Sequence, residues 1–360
     1  MISYDVTTFG APLERRERPT PKPAGREVLL RVCAAGVCHS DIHVWHGWYD
    51  LGDGQRLTLA DRGVSLPLTL GHEIVARVVA LGDEAEGVTV GQAYLVYPWI
   101  GCGHCTRCGQ GREHLCPAPR FLGVFAPGGY SDHLVVPDPK YLLEIGDIAP
   151  ERAASYACSG LTTFSAMRKI DPLVLRTEPI VIIGAGGLGL MCLSLLKLMG
   201  GAGAVVIETS PARRQAALDA GALQAIDPAA PDAAALVAQA IGGGAAAIID
   251  YVGSGETVTL AIKLLDKAGQ LIVVGLFGGE IRLSTPMLPI RALTIQGSYI
   301  GSLDELRELV ALVRDKRPAP IPIACCDLQD AASALARLEA GQVVGRLVLL
   351  PPDEPSSARF

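Results

Sequence analysis

Two short segments carry cysteine and histidine residues that could bind a metal ion. Cys38 begins the segment Cys38–His43, and His72 stands between Gly71 and Glu73. Thiolate sulfur and imidazole nitrogen are ligands that zinc favours, and a catalytic zinc keeps three protein ligands and one open position. A third ligand is therefore expected elsewhere in the chain.

A second group of thiols has the spacing C-x2-C-x2-C-x7-C and consists of Cys102, Cys105, Cys108 and Cys116. Four thiolates can surround one tetrahedral zinc and leave no position open, which is typical of a structural site. A pair of disulfides is one alternative. An iron–sulfur cluster is another, but the spacing fits neither common ferredoxin pattern.

Cys158 is the candidate for the third ligand of the first site. It lies where the character of the chain changes from strands to strand–helix alternation, and a metal in a cleft between two domains needs ligands from both walls. The other four thiols are expected to fill core or loop positions, as free cysteines often do: Cys33, Cys192, Cys325 and Cys326.

A glycine-rich segment follows the apolar strand 180–183 and opens an apolar helix, which is the context of a dinucleotide-binding turn. Its residues would make the turn and bring the helix N-terminus to a pyrophosphate: Gly184, Gly186, Gly187, Leu188 and Gly189. Glu208 ends the next strand, where an acid binds the adenosine ribose and repels a 2′-phosphate. This favours NAD over NADP, although Arg213 and Arg214 oppose the inference. The alternative is a glycine-rich turn that binds no ligand.

The order of strands and helices predicts two domains in this chain of 360 residues. Before residue 150, short β-branched runs separated by glycine turns predict a β-barrel-like domain. Residues 49–66 are polar and are predicted to form a loop outside the core. From residue 151, one helix over 151–170 and then alternating strands and helices predict an α/β domain, a doubly wound parallel sheet with helices on both faces.

Composition excludes several classes of function. The net charge of −6 and the lack of a Lys/Arg run argue against nucleic-acid binding. No apolar stretch is long enough to span a bilayer, and the N-terminus lacks the pattern of a secretory signal. We therefore expect no membrane partner and a cytoplasmic location.

Taken together, the motifs resemble those of the zinc-dependent medium-chain alcohol dehydrogenases over nearly the whole chain. They occur in that family's order: G-V-C-H-S-D-I-H, L-G-H-E, the four-cysteine lobe, C-S-G-L-T-T, I-I-G-A-G-G-L-G and V-G-R-L-V-L. The resemblance is strongest to the tetrameric NAD-dependent branch that acts on primary, secondary and aromatic alcohols. It implies a GroES-like β-barrel catalytic domain (1–159 and 300–360), a Rossmann domain (160–299), and a homotetramer or a dimer.

The resemblance also assigns metal ligands. It implies that a catalytic zinc is held by Cys38, His72 and Cys158, and that the four-cysteine lobe binds a structural zinc. Asp41 and Glu73 match acids that lie behind the ligands, and Asp41 is expected to orient His72.

Proton transfer and cofactor binding follow from the same resemblance. Ser40 is expected to take the proton of the substrate hydroxyl, and His43 to form the outer end of the relay, because its ordinary pKa lies near neutrality. His39 stands where many members of the family carry an arginine near the pyrophosphate. The resemblance implies that Thr162 lies beside the nicotinamide ring and that Val274 contacts its carboxamide. It also implies that Arg346 and His39 contact the pyrophosphate.

The implied reaction is reversible hydride transfer between an alcohol and NAD, giving an aldehyde or ketone. A polyol dehydrogenase, or another specialised enzyme of the same fold, is the alternative. A zinc-free quinone reductase or a non-catalytic dinucleotide-binding protein is not favoured, because all seven metal ligands are present. Residues 50–66 are expected to shape or cover the cleft entrance. Four aromatic residues could line an apolar substrate pocket or form ordinary core or interface packing: Trp45, Trp48, Tyr49 and Trp99.

Overall fold

The computed structural model describes residues 1–352. The first part of the chain consists mainly of strands: β1 (Ile2–Val6), β2 (Glu14–Glu17), β3 (Val28–Val37), β4 (Trp48–Gly52), β5 (Gln55–Thr58), β6 (Leu68–Thr69), β7 (Glu73–Leu81), β8 (Ala93–Val96), β9 (His133–Val136) and β10 (Leu142–Glu144). Short helices interrupt them: α1 (His39–His46), α2 (Thr106–Gly109) and α3 (Pro150–Ala153).

The central part alternates helices and strands: α4 (Ser159–Met167), α5 (Pro172–Thr177), β11 (Ile180–Ile183), α6 (Gly187–Leu198), β12 (Ala204–Ile207), α7 (Pro211–Asp219), β13 (Gln224–Ile226), α8 (Ala233–Ile241), β14 (Ala245–Asp250), α9 (Gly255–Leu264), β15 (Leu265–Val273), α10 (Met287–Arg291) and β16 (Thr294–Gly297). The last part contains α11 (Leu303–Lys316), β17 (Ile323–Asp327), α12 (Ala331–Glu339) and β18 (Arg346–Leu350).

One sheet joins the beginning and the end of the chain, in the order β10-β8-β7-β3-β18-β17, with β9 also paired to β3. In the register of β3 and β7, Gly36 lies opposite Glu73. In the register of β18 and β3, Leu347 lies opposite Val37. The C-terminal end of β3 and the N-terminal ends of β7 and β18 are therefore neighbours. This brings three separate segments of the chain to one place.

The central part forms a parallel sheet in the order β13-β12-β11-β14-β15-β16. This is the 3-2-1-4-5-6 order of doubly wound dinucleotide-binding sheets, in which ligands bind beyond the carboxyl ends of the strands where the order reverses. The reversal lies between β11 and β14. Gly184 directly follows β11, so the glycine-rich turn stands at this switch point.

The apolar interior runs from the first sheet through α4 and α11 to one face of the parallel sheet. Leu161 of α4 and Leu309 of α11 are fully buried there, and burying a side chain of this size contributes about 1.5–3 kcal/mol. A separate apolar cluster covers the opposite face of the parallel sheet. Within residues 1–352, none of the helices combines the length and the apolar character needed to cross a bilayer.

The single helix predicted for 151–170 is wrong. The structure has α3, a 3-10 turn at Ala154–Ala157, and then α4. Cys158 separates the last two with φ −126° and ψ −72°. The helix is interrupted here because the backbone N–H of Ser159 donates to Glu73 Oε1 at 3.2 Å instead of continuing the helical ladder.

The irregular loop predicted for 49–66 is also wrong. Strands β4 and β5 form a hairpin in which Gly52 pairs with Gln55 around the two-residue loop Asp53-Gly54. Both loop residues have positive φ, 48° and 72°, as a type I′ turn requires. The Asp-Gly pair is the sequence signal for such a hairpin.

Candidate active site

The three predicted ligands of the first metal site lie together. The sulfur atoms of Cys38 and Cys158 and an imidazole nitrogen of His72 lie within 4.8 Å of one another, and all three residues are buried. Cys38 directly follows β3 and His72 directly precedes β7, so the neighbouring ends of these two strands position both ligands. The interruption before α4 delivers Cys158, because the backbone turns there towards Glu73.

Asp41 holds the His72 ring in position. Its Oδ1 lies 3.0 Å from His72 Nδ1, and the carboxylate also accepts from Cys38 N–H at 2.9 Å and from the Tyr130 hydroxyl at 3.0 Å. Burial lowers the pKa of His72, but Asp41 and the Cys38 sulfur outweigh it and hold that pKa well above its usual value.

The donor set fits a zinc ion. His72 Nε2 is fully buried and has no hydrogen-bond partner within residues 1–352, as expected of a nitrogen that ligates a metal. Two thiols and one imidazole, with a carboxylate on the second ring nitrogen, are ligands and support that zinc sites use. With only three ligands, one coordination position is left for a substrate or water.

Glu73 and Arg346 form a buried ion pair behind the ligands. Burial raises the pKa of Glu73 to about 7, although Arg346 opposes the rise. Gly36 makes room for this carboxylate, because a Cβ at that position would lie 2.1 Å from Glu73 Oε2. A Cβ on Gly187 would lie 2.5 Å from Arg346 Cδ, so Arg346 also touches the glycine-rich turn.

The four-cysteine lobe is a closed cluster. The sulfur atoms of Cys102, Cys105, Cys108 and Cys116 lie within 4.8 Å of one another, and the thiols are free. Glu113 anchors the lobe by accepting from Gly101 N–H at 2.9 Å and from the Tyr141 hydroxyl at 2.7 Å. Four sulfur atoms in this arrangement fit a structural zinc.

The two relay candidates lie on α1, which begins directly after Cys38. Ser40 is in its first turn, and His43 follows three residues later. The His43 ring contacts the Tyr49 ring with centroids 4.8 Å apart. Burial and the neighbouring His39 lower the pKa of His43. His39 itself contacts Phe277, which follows β15, at 5.6 Å.

The glycine-rich turn is packed as tightly as its sequence predicts. A Cβ on Gly189 would lie 2.0 Å from the carbonyl oxygen of Gly184, so the first turn of α6 lies directly on the end of β11. A Cβ on Gly186 would meet nothing within 4 Å. This opening at the N-terminus of α6 fits a pyrophosphate.

Glu208 lies at the end of β12, beside this turn. Its Oε2 accepts from Ala185 N–H at 2.8 Å, and its Oε1 accepts from Ser210 N–H at 2.9 Å. The two arginines that argued against NAD are both occupied. Arg213 donates to the carbonyls of Gly341 and Val343. Arg214 donates to carbonyls 208 and 209 and pairs with Asp227 at 3.0 Å.

The two predicted nicotinamide contacts lie on α4 and directly after β15. Thr162 is buried one turn after Cys158, to whose carbonyl its N–H donates at 2.8 Å. Val274 directly follows β15, and its N–H donates to Asp250 at 2.9 Å. Helix α4 begins directly after the ligand Cys158 and also contacts the glycine-rich turn, because the Thr163 hydroxyl donates to Leu188 O at 3.5 Å.

The predicted pocket aromatics lie in different places. Trp99 adjoins the metal cluster, with its ring 5.1 Å from that of His72 and its indole N–H donating to Ala157 O at 3.0 Å. Tyr49 lies beside His43. Trp45 instead donates to Ala11 O at 2.6 Å, and Trp48 lies under the guanidinium of Arg56 at 3.8 Å.

The β4–β5 hairpin crosses to the central domain. A Cβ on Gly52 would lie 2.9 Å from Glu280 N, and one on Gly278 would lie 2.6 Å from Asp50 Cβ. This close approach lies next to Phe277, which contacts His39. Residues 48–64, called here the entrance hairpin, therefore reach across the mouth of the cleft.

Sequence reasoning missed two tyrosines near the site. Tyr130 supports Asp41, as described above. Tyr299 follows β16, and the next residue, Ile300, has φ +52°, which is strained for a β-branched side chain. Both tyrosines are distant in sequence from the ligands, so no local spacing marks them. The position of Tyr299 after a parallel strand was the one available signal.

These sheets, the open three-ligand cluster and the crevice at the switch point define a zinc-binding dehydrogenase of GroES-like and Rossmann architecture. Family models agree: "Alcohol dehydrogenase GroES-like domain" matches residues 24–147, and "Zinc-binding dehydrogenase" matches 187–315. The chain belongs to the zinc-dependent medium-chain alcohol dehydrogenase family, as its motifs predicted. The predicted fold class is confirmed as well.

Named relatives are similar over nearly their whole length. The NAD-dependent alcohol dehydrogenase of Sulfurisphaera tokodaii is 36% identical over 98% of this chain and 100% of its own. The D-arabinose 1-dehydrogenase (NADP(+)) of Saccharolobus solfataricus is 33% identical over 95% of each. The crystal structure of the alcohol dehydrogenase of Aeropyrum pernix superposes with a TM-score of 0.86 at 29% identity, covering 98% of this chain and 100% of that one.

The position of Asp41 generates a first prediction. Asp41→Asn retains the shape of the side chain but removes the charge that orients His72, so we expect zinc at the three-ligand site to bind about 10–100-fold more weakly. Competition with a chromophoric chelator measures this loss. The four-cysteine site serves as the internal control, and an unchanged affinity at both sites would contradict the role of Asp41.

Proposed function

We propose that this protein is an NAD-dependent zinc alcohol dehydrogenase that reversibly oxidises primary or secondary alcohols, aliphatic or aromatic, to aldehydes or ketones. One observation carries the proposal. Arg346 pairs with Glu73 behind the metal ligands and packs on Gly187 of the dinucleotide turn. The open metal position and the cofactor crevice therefore belong to one cleft.

Each cofactor supplies one part of the chemistry. Bound zinc supplies Lewis acidity at the substrate oxygen, and bound NAD supplies a hydride acceptor. Cys38, His72 and Cys158 hold the metal, while the four-cysteine lobe holds a structural zinc. Arg346 supplies positive charge for the pyrophosphate, and His39, whose pKa is lowered by burial, supplies a neutral imidazole beside it. Thr162 and the backbone of Val274 position the nicotinamide.

The protein residues move the proton. Ser40 accepts the proton of the substrate hydroxyl as it releases its own hydroxyl proton, and His43 takes up a proton at the outer end of this relay. A neutral imidazole is needed for this step, and the lowered pKa of His43 keeps it neutral at physiological pH. Trp99 is buried and Tyr49 is half-buried. Both rings exclude water from this side of the cleft.

The position of Glu208 supports NAD as the cofactor. A carboxylate beside the turn accepts hydrogen bonds from ribose hydroxyls and repels a 2′-phosphate, and both nearby arginines are engaged elsewhere. A sugar or polyol dehydrogenase is the second candidate, because one relative is named a D-arabinose 1-dehydrogenase. Comparing the efficiency of aldose and benzyl alcohol oxidation with NAD and NADP separates the two.

We also propose the quaternary arrangement and the domain division that the family implies. Edge strand β16 and the exposed apolar residues Met287 and Ile290 of the preceding helix α10 support pairing with a second copy, and a homotetramer would need one further contact. The catalytic domain comprises 1–159 and 300–360, of which 353–360 lie outside the described residues.

Ten free cysteines favour a reducing compartment such as the cytoplasm.

Replacing one ligand tests the central assignment. In Cys38→Ala we expect alcohol oxidation to be abolished, because the substrate oxygen loses its site, while NAD binding measured by fluorescence or calorimetry is retained. Cys33→Ala, on β3, which ends directly before Cys38, and outside the cluster, is the matched control and should remain active. Full turnover by Cys38→Ala would refute the proposed function.

The relay makes a separate prediction about pH. In the direction of alcohol oxidation His43 must be neutral to accept the proton, and burial lowers its pKa below 6.5. Activity should therefore be constant above this lowered pKa and fall as pH decreases through it. His43→Gln should be slower above this pKa, where the wild-type imidazole is neutral and accepts the proton, and should lose this inflection in its kcat profile. An unchanged inflection would assign it to another group.

A further inference from the structure

Three charged side chains form a row at the carboxyl ends of β12 and β13. In the parallel register of these strands Ile207 lies opposite Ile226, so the acids that directly follow them, Glu208 and Asp227, are neighbours. The guanidinium of Arg214 connects the two residues, because its Nη1 donates to the Glu208 carbonyl at 2.8 Å and lies 3.0 Å from Asp227 Oδ2. Asp227 is therefore joined through one arginine to the residue that is expected to bind the adenosine ribose.

The guanidinium of Arg214 is fixed beside the expected ribose position by the carbonyls of residues 208 and 209. Its contacts with these carbonyls and with Asp227 all use Nη1. Within residues 1–352 its Nε and Nη2 make no hydrogen bond, whereas the same two nitrogens of Arg213 both donate to carbonyls. An arginine near this position accommodates the 2′-phosphate of NADP in dinucleotide-binding folds. Arg214 thus retains a pair of donors that could bind a phosphate through two parallel hydrogen bonds.

The carboxylate of Asp227 opposes the charge of this guanidinium. Its Oδ1 accepts from Ala229 N–H at 3.0 Å, which fixes the side chain on the turn after β13 and leaves Oδ2 to pair with Arg214. Both partners are partly shielded from water, with side-chain exposures of 20% for Arg214 and 36% for Asp227.

The balance of charge in the row decides how it would receive a phosphate. Two carboxylates and one guanidinium leave the row with net negative charge, so a 2′-phosphate placed there would be repelled. Without the charge of Asp227 the remaining carboxylate and guanidinium would balance. Arg214 would still be held in place by the carbonyls of residues 208 and 209, with its Nε and Nη2 free to bind the phosphate.

We infer that Asp227 determines cofactor specificity: it neutralises Arg214 and so prevents the site from binding a dinucleotide that carries a 2′-phosphate. Glu208 repels that phosphate directly, whereas Asp227 cancels the positive charge that would otherwise attract it. The preference for NAD over NADP therefore has two separate causes, one at the end of each strand. This inference rests on the proposed function, in which Glu208 binds the ribose, and it specifies how the same site excludes NADP.

The test measures the binding of NADH and NADPH, which differ only in the 2′-phosphate, to the zinc-loaded protein by nicotinamide fluorescence without turnover. The wild type should bind NADH more tightly. In Asp227→Asn, which keeps an oxygen for the Ala229 N–H, the affinity for NADPH relative to NADH should rise about tenfold, the size expected for one charge-assisted hydrogen bond. The affinity for NADH should stay within about twofold. Rising salt should weaken the gain.

Two further variants make the result specific. Asp227→Ser also keeps an oxygen for the Ala229 N–H and should show a similar gain, so the inference can be tested even if one of the two variants folds poorly. Adding Arg214→Gln to Asp227→Asn should abolish the gain, because the guanidinium that binds the phosphate is lost.

A matched control separates this effect from a general loss of negative charge. Asp219 lies on the same helix as Arg214 but accepts from Gln215 at 2.9 Å, so Asp219→Asn should keep the wild-type preference. An unchanged preference in both Asp227 variants would overturn the inference, as would a gain that survives Arg214→Gln or appears equally in Asp219→Asn. A wild type that binds neither NADH nor NADPH would instead count against the proposed function.

Discussion

The site depends on the neutralisation of the negative charge that is buried in one cleft. Cys38, Cys158 and Glu73 are all buried. The two sulfur atoms lie within 4.8 Å of each other, and Glu73 accepts from the N–H of Ser159, next to Cys158. Like charges in a low-dielectric environment cannot all ionise unaided. Arg346 compensates Glu73, and a divalent cation between the thiols would compensate both sulfur atoms. This requirement explains why a fully buried arginine stands at the N-terminal end of β18, after the chain has returned from the central domain.

The surrounding structure meets this requirement by bringing distant segments together. Register places Gly36 opposite Glu73 and Val37 opposite Leu347, so the ligands and the arginine arrive on neighbouring strand ends. Cys158 reaches the other two ligands because α4 begins only after a break in the helical backbone, which Glu73 stabilises. Asp41 then connects ligand, helix and core through its contacts with His72, Cys38 N–H and Tyr130.

Much of this arrangement could be predicted from the sequence, because residue types and spacing within each motif determine its local structure. The glycine-rich segment 184–189, which follows an apolar strand, predicts both the dinucleotide-binding turn and its position. Four closely spaced cysteines predict that their side chains form one cluster. The break at Cys158 could not be predicted, since alanine-rich helical spacing continues through it and only a carboxylate from a distant strand interrupts it. The entrance hairpin was missed although Asp53-Gly54 signals its turn.

The central claim is that the metal cluster and the dinucleotide crevice act on the same carbinol carbon. Oxidation of benzyl alcohol deuterated at that carbon, in ordinary water, tests it most directly through the isotope content of the reduced cofactor. The account predicts one deuterium transferred to NAD per turnover, at one face of the nicotinamide and with none from solvent. Label lost to water, or a reduced cofactor that carries only solvent hydrogen, would contradict direct transfer within one cleft.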